Sequence, residues 1–146
     1  MGQPGITSIQ CLRMQHEKLS LLPDNDRQLR TMLSSIQRRL PRILGKKVLA
    51  ALVIGSVAEG KAGDRSDLDL LLFLREGPPK REHYRFWDWR VAPHFKRCPF
   101  PIQPIFVSKE SVNTSEPNLT SAIRQGILLW DEGRLFPWRG AWSTET

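Results

Sequence analysis

The sequence predicts a small α/β domain, an α+β arrangement in which helices flank a small mixed β-sheet. Two apolar runs of strand length, residues 47–54 (KVLAALVI) and 68–74 (LDLLLFL), are too short for free-standing helices and suit strands buried on both faces. Amphipathic helical spacing precedes the first run, and helical and strand-like segments alternate after the second. A chain of 146 residues holds one domain around one core, with one site as the natural expectation.

Residues 1–27 stand apart: Ile9, Leu12, Leu19, Leu21 and Leu22 follow Pro4 and Gly5, which suits a short helix or a loose arm. In PDNDRQLRTMLSSIQRRL, Asp24 or Asp26 caps a helix whose Leu29, Met32, Leu33, Ile36 and Leu40 recur at spacings of three and four, and Pro41 and Gly45 end it. Residues 55–66, rich in Gly, Ala and charge, suffice for a turn and a short helix between the two strands. After the Gly-Pro-Pro turn at residues 77–79, the segment from Lys80 is helical to Arg90, and Pro93 interrupts it. Tyr84, Trp87 and Val91 form its core stripe, leaving Arg85 and Trp89 exposed. Residues 101–107 (PIQPIFV) make a third strand that Pro104 confines to an edge. Asn118 or Thr120 opens a helix through Arg124, and GILLWDEG follows as a short strand or final turn. The main domain spans residues 28–133, and the tail 134–146, with Trp138 and Trp142, is loosely packed or made for a partner.

The formal charge of +7 favours an anionic partner, whether nucleotide, RNA or acidic protein. The basic residues are scattered, so direct nucleic-acid binding is the less favoured of these. No apolar stretch approaches the roughly 20 residues of a membrane span. Ile6 stands where a myristoylation pattern requires Ser or Thr, and no secretory pattern is present, which makes the cytoplasm the expected compartment. Cys11 and Cys98 fit neither a disulfide framework nor zinc-ligand spacing, and His16, His83 and His94 are isolated in sequence.

The chemistry concentrates in GSVAEGKAGDRSDLD, residues 55–69. Strand alternation turns Asp67 and Asp69 to one face, where two carboxylates repel unless a cation lies between them. Hard divalent cations such as Mg²⁺ take carboxylate and phosphate oxygens, so the pair suits a metal platform. Gly55 lets the backbone approach a phosphate closely, and Ser56 adds a hydroxyl and an N–H.

Gly55, Ser56, ten intervening residues, Asp67, Leu68 and Asp69 match the G-S-x10-D-x-D signature of the polymerase-β-like nucleotidyltransferases. The chain resembles most the minimal nucleotidyltransferases, over residues 28–133. That resemblance implies a polymerase-β palm-like fold and Mg²⁺-dependent transfer of a nucleoside monophosphate, AMP from ATP, to a hydroxyl acceptor with release of pyrophosphate. It implies Asp67 and Asp69 as catalytic metal ligands, with Gly55, Ser56, Lys61 and Ser66 contacting the nucleotide; Arg65 lies in the same loop. Members of this family often pair with HEPN-type proteins in toxin and antitoxin modules, so a catalytically weak antitoxin partner is the alternative reading. An oligomer is open, and the acceptor side of so small a domain is open or completed by another chain. The chain departs from the family in two places. Gln103 takes the place of a third carboxylate, with Asp88 and Glu110 as possible substitutes, and Glu59 stands where an Arg is common.

Overall fold

The computed structural model describes residues 23–61 and 66–143. Helix α1, Pro23–Leu44, buries Leu29, Met32, Leu33, Ile36, Leu40 and Leu44, because spacings of three and four fall on one stripe of a 3.6-residue helix. It continues through Pro41, which was expected to end it. In the last turn the ring removes one main-chain bond, while the buried Leu40 and Leu44 hold that turn in the core. Gly45, at φ +61°, turns the chain out of the helix. The capping expected of Asp24 or Asp26 and the reading of residues 1–22 lie outside the described side chains and residues.

Strands β1 (Val48–Ile54), β2 (Leu68–Leu74), β3 (Ile102–Ser108) and β4 (Ile127–Asp131) form one sheet in the order β3-β2-β1-β4. β1 is antiparallel to β2 and β4, and β2 is parallel to β3, so the sheet is mixed as expected. The two apolar runs are the central strands. On β2, Leu68, Leu70, Leu72 and Leu74 pack in the layer of α1, while Leu71 and Phe73 pack on the other face with Leu52 and Phe136. Pro104 lies on the outer strand β3, where its missing N–H is tolerated.

Helix α2, Arg81–Phe86, continues as a π-helical turn, Trp87–Val91, and a 3₁₀ turn, Ala92–Phe95. Winding therefore passes Arg90, and Pro93 sits in the first turn of the last piece, where its lost donor matters least. Trp87 and Val91 are buried and Trp89 is 81% exposed. Tyr84 sits at the rim, 36% exposed, and its hydroxyl accepts the Phe106 N–H at 3.1 Å, satisfying a main-chain donor of β3. Helix α3, Pro117–Gln125, is capped by Glu116, whose carboxylate accepts from the Asn118 and Leu119 N–H groups at 3.0 and 2.7 Å. Its Leu119 and Ile123 cover the sheet face opposite α1.

Between β1 and β2, where a turn and a short helix were expected, the described residues form a turn over residues 56–60, closed by Glu59 N–H to Gly55 O at 3.1 Å and Lys61 N–H to Ser56 O at 2.8 Å. Gly60, at φ +74°, stops it from winding further. No helix among the described residues is long and apolar enough to cross a membrane.

The tail is not loosely packed through residue 143. Asp131 accepts from the Leu135 and Phe136 N–H groups at 2.8 and 2.7 Å, which turns Phe136 into the core. The Gln37 amide donates to the Leu129 and Trp142 carbonyls at 2.8 and 2.6 Å, fixing Trp142, 3% exposed, between α1 and β4. Trp138 alone of the tail aromatics is largely exposed. Trp142→Ala should therefore cost about 3–5 kcal/mol in urea unfolding, as for a core aromatic, where a loose tail would lose under about 0.5.

Candidate functional site

The candidate site lies where β1 ends and β2 and β3 begin. Ile54 pairs with Asp69 across the antiparallel ladder, so the chain leaves β1 beside the Asp69 carboxylate. Gly55 has φ +78°, and a Cβ built on it would lie 2.5 Å from Asp69 Oδ2. Both the backbone angle and the close approach demand glycine here. Ser56 follows, half-buried, and the buried Val57 and Ala58 anchor the turn in the core.

Asp67 is exposed, one residue ahead of β2, and Ser66 before it is half-buried. The Leu68 N–H donates to the Pro101 carbonyl at 2.8 Å, which fixes the main chain between the two aspartates. Asp69 is half-buried, and burial first, then the negative charge of Asp67, push its carboxyl above the usual range. A raised carboxyl means that ionisation costs folding stability, a cost present above the raised pKa and relieved as pH falls through it. Among the described residues no cation pairs with either carboxylate.

The donor set is oxygen only, and among the described residues no group of three or more His, Cys, Asp or Glu comes together. Two carboxylates with no third ligand among the described residues fit Mg²⁺, which retains water and substrate oxygens, better than a softer metal. Gln103 is the register partner of Asp69 on β3, and parallel partners face the same side, so a neutral amide borders the pair. Asp88 is solvent-exposed on the helical segment. Glu110 follows the end of β3 at Ser108, about 17 Å along the strand from Gln103. Neither is placed as a substitute ligand.

Gly55, Ser56, Ser66, Asp67 and Asp69 thus converge at one end of the sheet. Lys61 is exposed and its ammonium lies 3.9 Å from Glu59, while Arg65 falls outside the described residues. One basic residue that the sequence did not signal is Arg139. From the tail its guanidinium donates to the Ile123 carbonyl at 2.6 Å and to the Gly126 carbonyl, placing a cation at the C-terminal end of α3, where the helix dipole favours it. Gly126 leads into Ile127, the partner of Val53, so this cation stands at the same end of the sheet as Gly55.

Gly55→Ala forces a side chain onto Asp69 and strains the backbone, and should lower stability by about 1–3 kcal/mol in urea unfolding. The same change at Gly140, where a Cβ meets nothing within 4 Å, should be near neutral.

No curated protein gave a significant match to the chain. The family model described as a nucleotidyltransferase domain matches residues 30–104, just over half of the chain, from α1 to the first half of β3. That stretch contains Gly55, Ser56, Asp67, Asp69 and Gln103, the residues that meet at the end of the sheet, and by this match the chain belongs to the nucleotidyltransferase domain family.

Proposed function

We propose that this chain transfers a nucleoside monophosphate, AMP with ATP as donor, to a hydroxyl acceptor, using Asp67 and Asp69 to hold Mg²⁺. The observation that carries the reading is the carboxylate pair, with no cation partner among the described residues, set against Gly55 where β1 ends and β2 begins. Mg²⁺ bound there supplies charge neutralisation for the phosphate oxygens. Asp69 is positioned by the β1–β2 ladder, and the Gly55-Ser56 turn offers main-chain and hydroxyl groups to the phosphate chain. The acceptor oxygen forms a bond to the α-phosphorus, the bridging bond to the β-phosphate breaks, pyrophosphate leaves with the bonding pair, and the hydroxyl proton passes to water. Positioning and charge neutralisation carry this reaction without a covalent intermediate.

Gln103 supports a second reading, a nucleotide-binding protein that acts by docking a partner such as a HEPN-type protein, because a neutral amide cannot take a proton from the acceptor. The exposed Trp138 offers that partner an apolar contact.

Two measurements separate the readings. With ATP radiolabelled at the α-phosphate, Mg²⁺ and a cell extract, the natural protein should label an acceptor and Asp69→Asn should not; equal labelling by the variant would remove the reading. Without metal, Asp69→Asn should melt about 1–4 °C higher than the natural protein, since it loses the buried like charge, and Mg²⁺ should raise the melting temperature of the natural protein only. Gln103→Asp completes the carboxylate set and should raise the labelling rate by about tenfold or more; an unchanged or lower rate would show that this position takes no part in proton transfer.

A further inference from the structure

We infer that Arg139 is a positioning residue for the candidate site: by bridging two carbonyls at the end of α3 it holds that helix against the end of β1, and so fixes the Gly55-Ser56 turn beside Asp69. Its bearing on catalysis rests on the transfer proposed at Asp67 and Asp69, while its bearing on the turn does not. Arg139 lies in the tail, outside the residues 30–104 that the family model matches, and is half-buried. It stands on the same face of the sheet as the site. Leu68, Leu70 and Leu72 pack in the layer of α1, so Asp69, which alternates with them, faces the side that α3 covers, as Leu71 and Phe73 do.

A short chain of contacts leads from the guanidinium to the site. The Ile123 carbonyl accepts from Arg139 at 2.6 Å, and the Gly126 carbonyl accepts from the same guanidinium. Both lie at a helix C-terminus, where main-chain donors run out. Gly126 rests directly on β1: a Cβ built there would lie 3.0 Å from the Val53 carbonyl oxygen and 3.3 Å from Ile54 Cγ2. Ile54 ends β1 and pairs with Asp69, and the next residue, Gly55, comes so close to Asp69 that its own Cβ would lie 2.5 Å from Oδ2. Groups packed this closely pass on a displacement instead of absorbing it.

The guanidinium is itself carried on an anchored arm. Asp131 accepts from the Leu135 and Phe136 N–H groups, and the buried Phe136 ring meets Phe73 edge-on at 5.3 Å. The Arg139 N–H donates to the Phe136 carbonyl at 3.0 Å, and its guanidinium lies 6.0 Å from the centre of the Phe136 ring. Beyond it the Trp142 N–H donates to the Leu128 carbonyl at 2.6 Å, so the arm is tied to the sheet on both sides of Arg139. A planar fork of N–H donors suits two carbonyls at once, whereas an ammonium group is a point charge on a flexible stem. The tail thus braces the corner of the sheet from which the Gly55-Ser56 turn departs.

The test is amide hydrogen exchange of the ligand-free protein, read at Glu59 and Lys61, whose bonds to the Gly55 and Ser56 carbonyls close the turn, and at the buried Leu52 in the middle of β1. In Arg139→Gln the two turn amides should exchange about tenfold faster or more, with Leu52 changed much less. Equal acceleration at all three amides would show a loss of overall stability only, and unchanged turn amides would show no link; either result overturns the proposal. Arg139→Lys keeps the charge and serves if the glutamine variant does not fold. Its turn amides should still exchange faster than those of the natural protein, whereas full protection would show that charge at the helix end suffices and would overturn the two-carbonyl brace. Calorimetric titration with ATP and Mg²⁺ then reads the site. Arg139→Gln should bind about tenfold more weakly than the natural protein, and equal binding would overturn the positioning role. Because exchange is read without nucleotide, failure of the transfer reading shows separately, as an Arg139-dependent turn in a natural protein that binds no ATP.

Discussion

The Asp69 carboxylate occupies the space that any side chain on Gly55 would fill, and this contact ties the chemistry of the chain to its sheet. It exists because the antiparallel pairing of β1 and β2 runs to the last residue of β1, Ile54, opposite Asp69 near the start of β2, so that one strand delivers a turn where the other delivers a carboxylate. The turn is not free to drift, since Val57 and Ala58 are buried and Gly60 ends it. Both strands lie inside the sheet, with neighbours on either side and apolar layers on both faces, and a site carried on such elements moves less than one built on loops.

That rigidity holds together two groups that repel. Burial and Asp67 both oppose ionisation of Asp69, and the described residues provide no counter-charge, so the fold carries a local electrostatic cost that a bound cation relieves. Cations nearby are used differently. Arg139 is bound to carbonyls at the end of α3, and Lys61 reaches Glu59. Other cations gather away from the aspartates: Arg27, Arg39, Lys96 and Arg97 line a cleft between α1 and residues 93–99, with no carboxylate among its described lining residues.

Much of this was legible in the sequence because it is local. The stripe from Leu29 to Leu40, the two buried strands, the edge position of Pro104 and the Gly55-Ser56 to Asp69 spacing are all patterns within a few tens of residues, and each reappears in the structure. Gln103 was pointed to by the family resemblance, and the β2–β3 register puts it beside Asp69. What escaped reading depends on contacts distant in the chain. Arg27 and Arg39 meet Lys96 and Arg97 only through folding, so their charges looked scattered. Trp142 is held by Gln37, a hundred and five residues away, and the tail therefore looked loose. Pro41 misled for another reason: burial of Leu40 and Leu44 outweighed a local signal to stop.

The central claim is that the aspartate pair forms a metal-dependent nucleotide site, and calorimetric titration of ATP with and without Mg²⁺ tests it most directly, comparing the natural protein with a double variant, Asp67→Asn and Asp69→Asn. The account predicts Mg²⁺-dependent binding by the natural protein and none by the variant. Binding of equal strength in both, or no binding in either with the fold intact, would contradict it and leave the motif as a structural corner of the sheet.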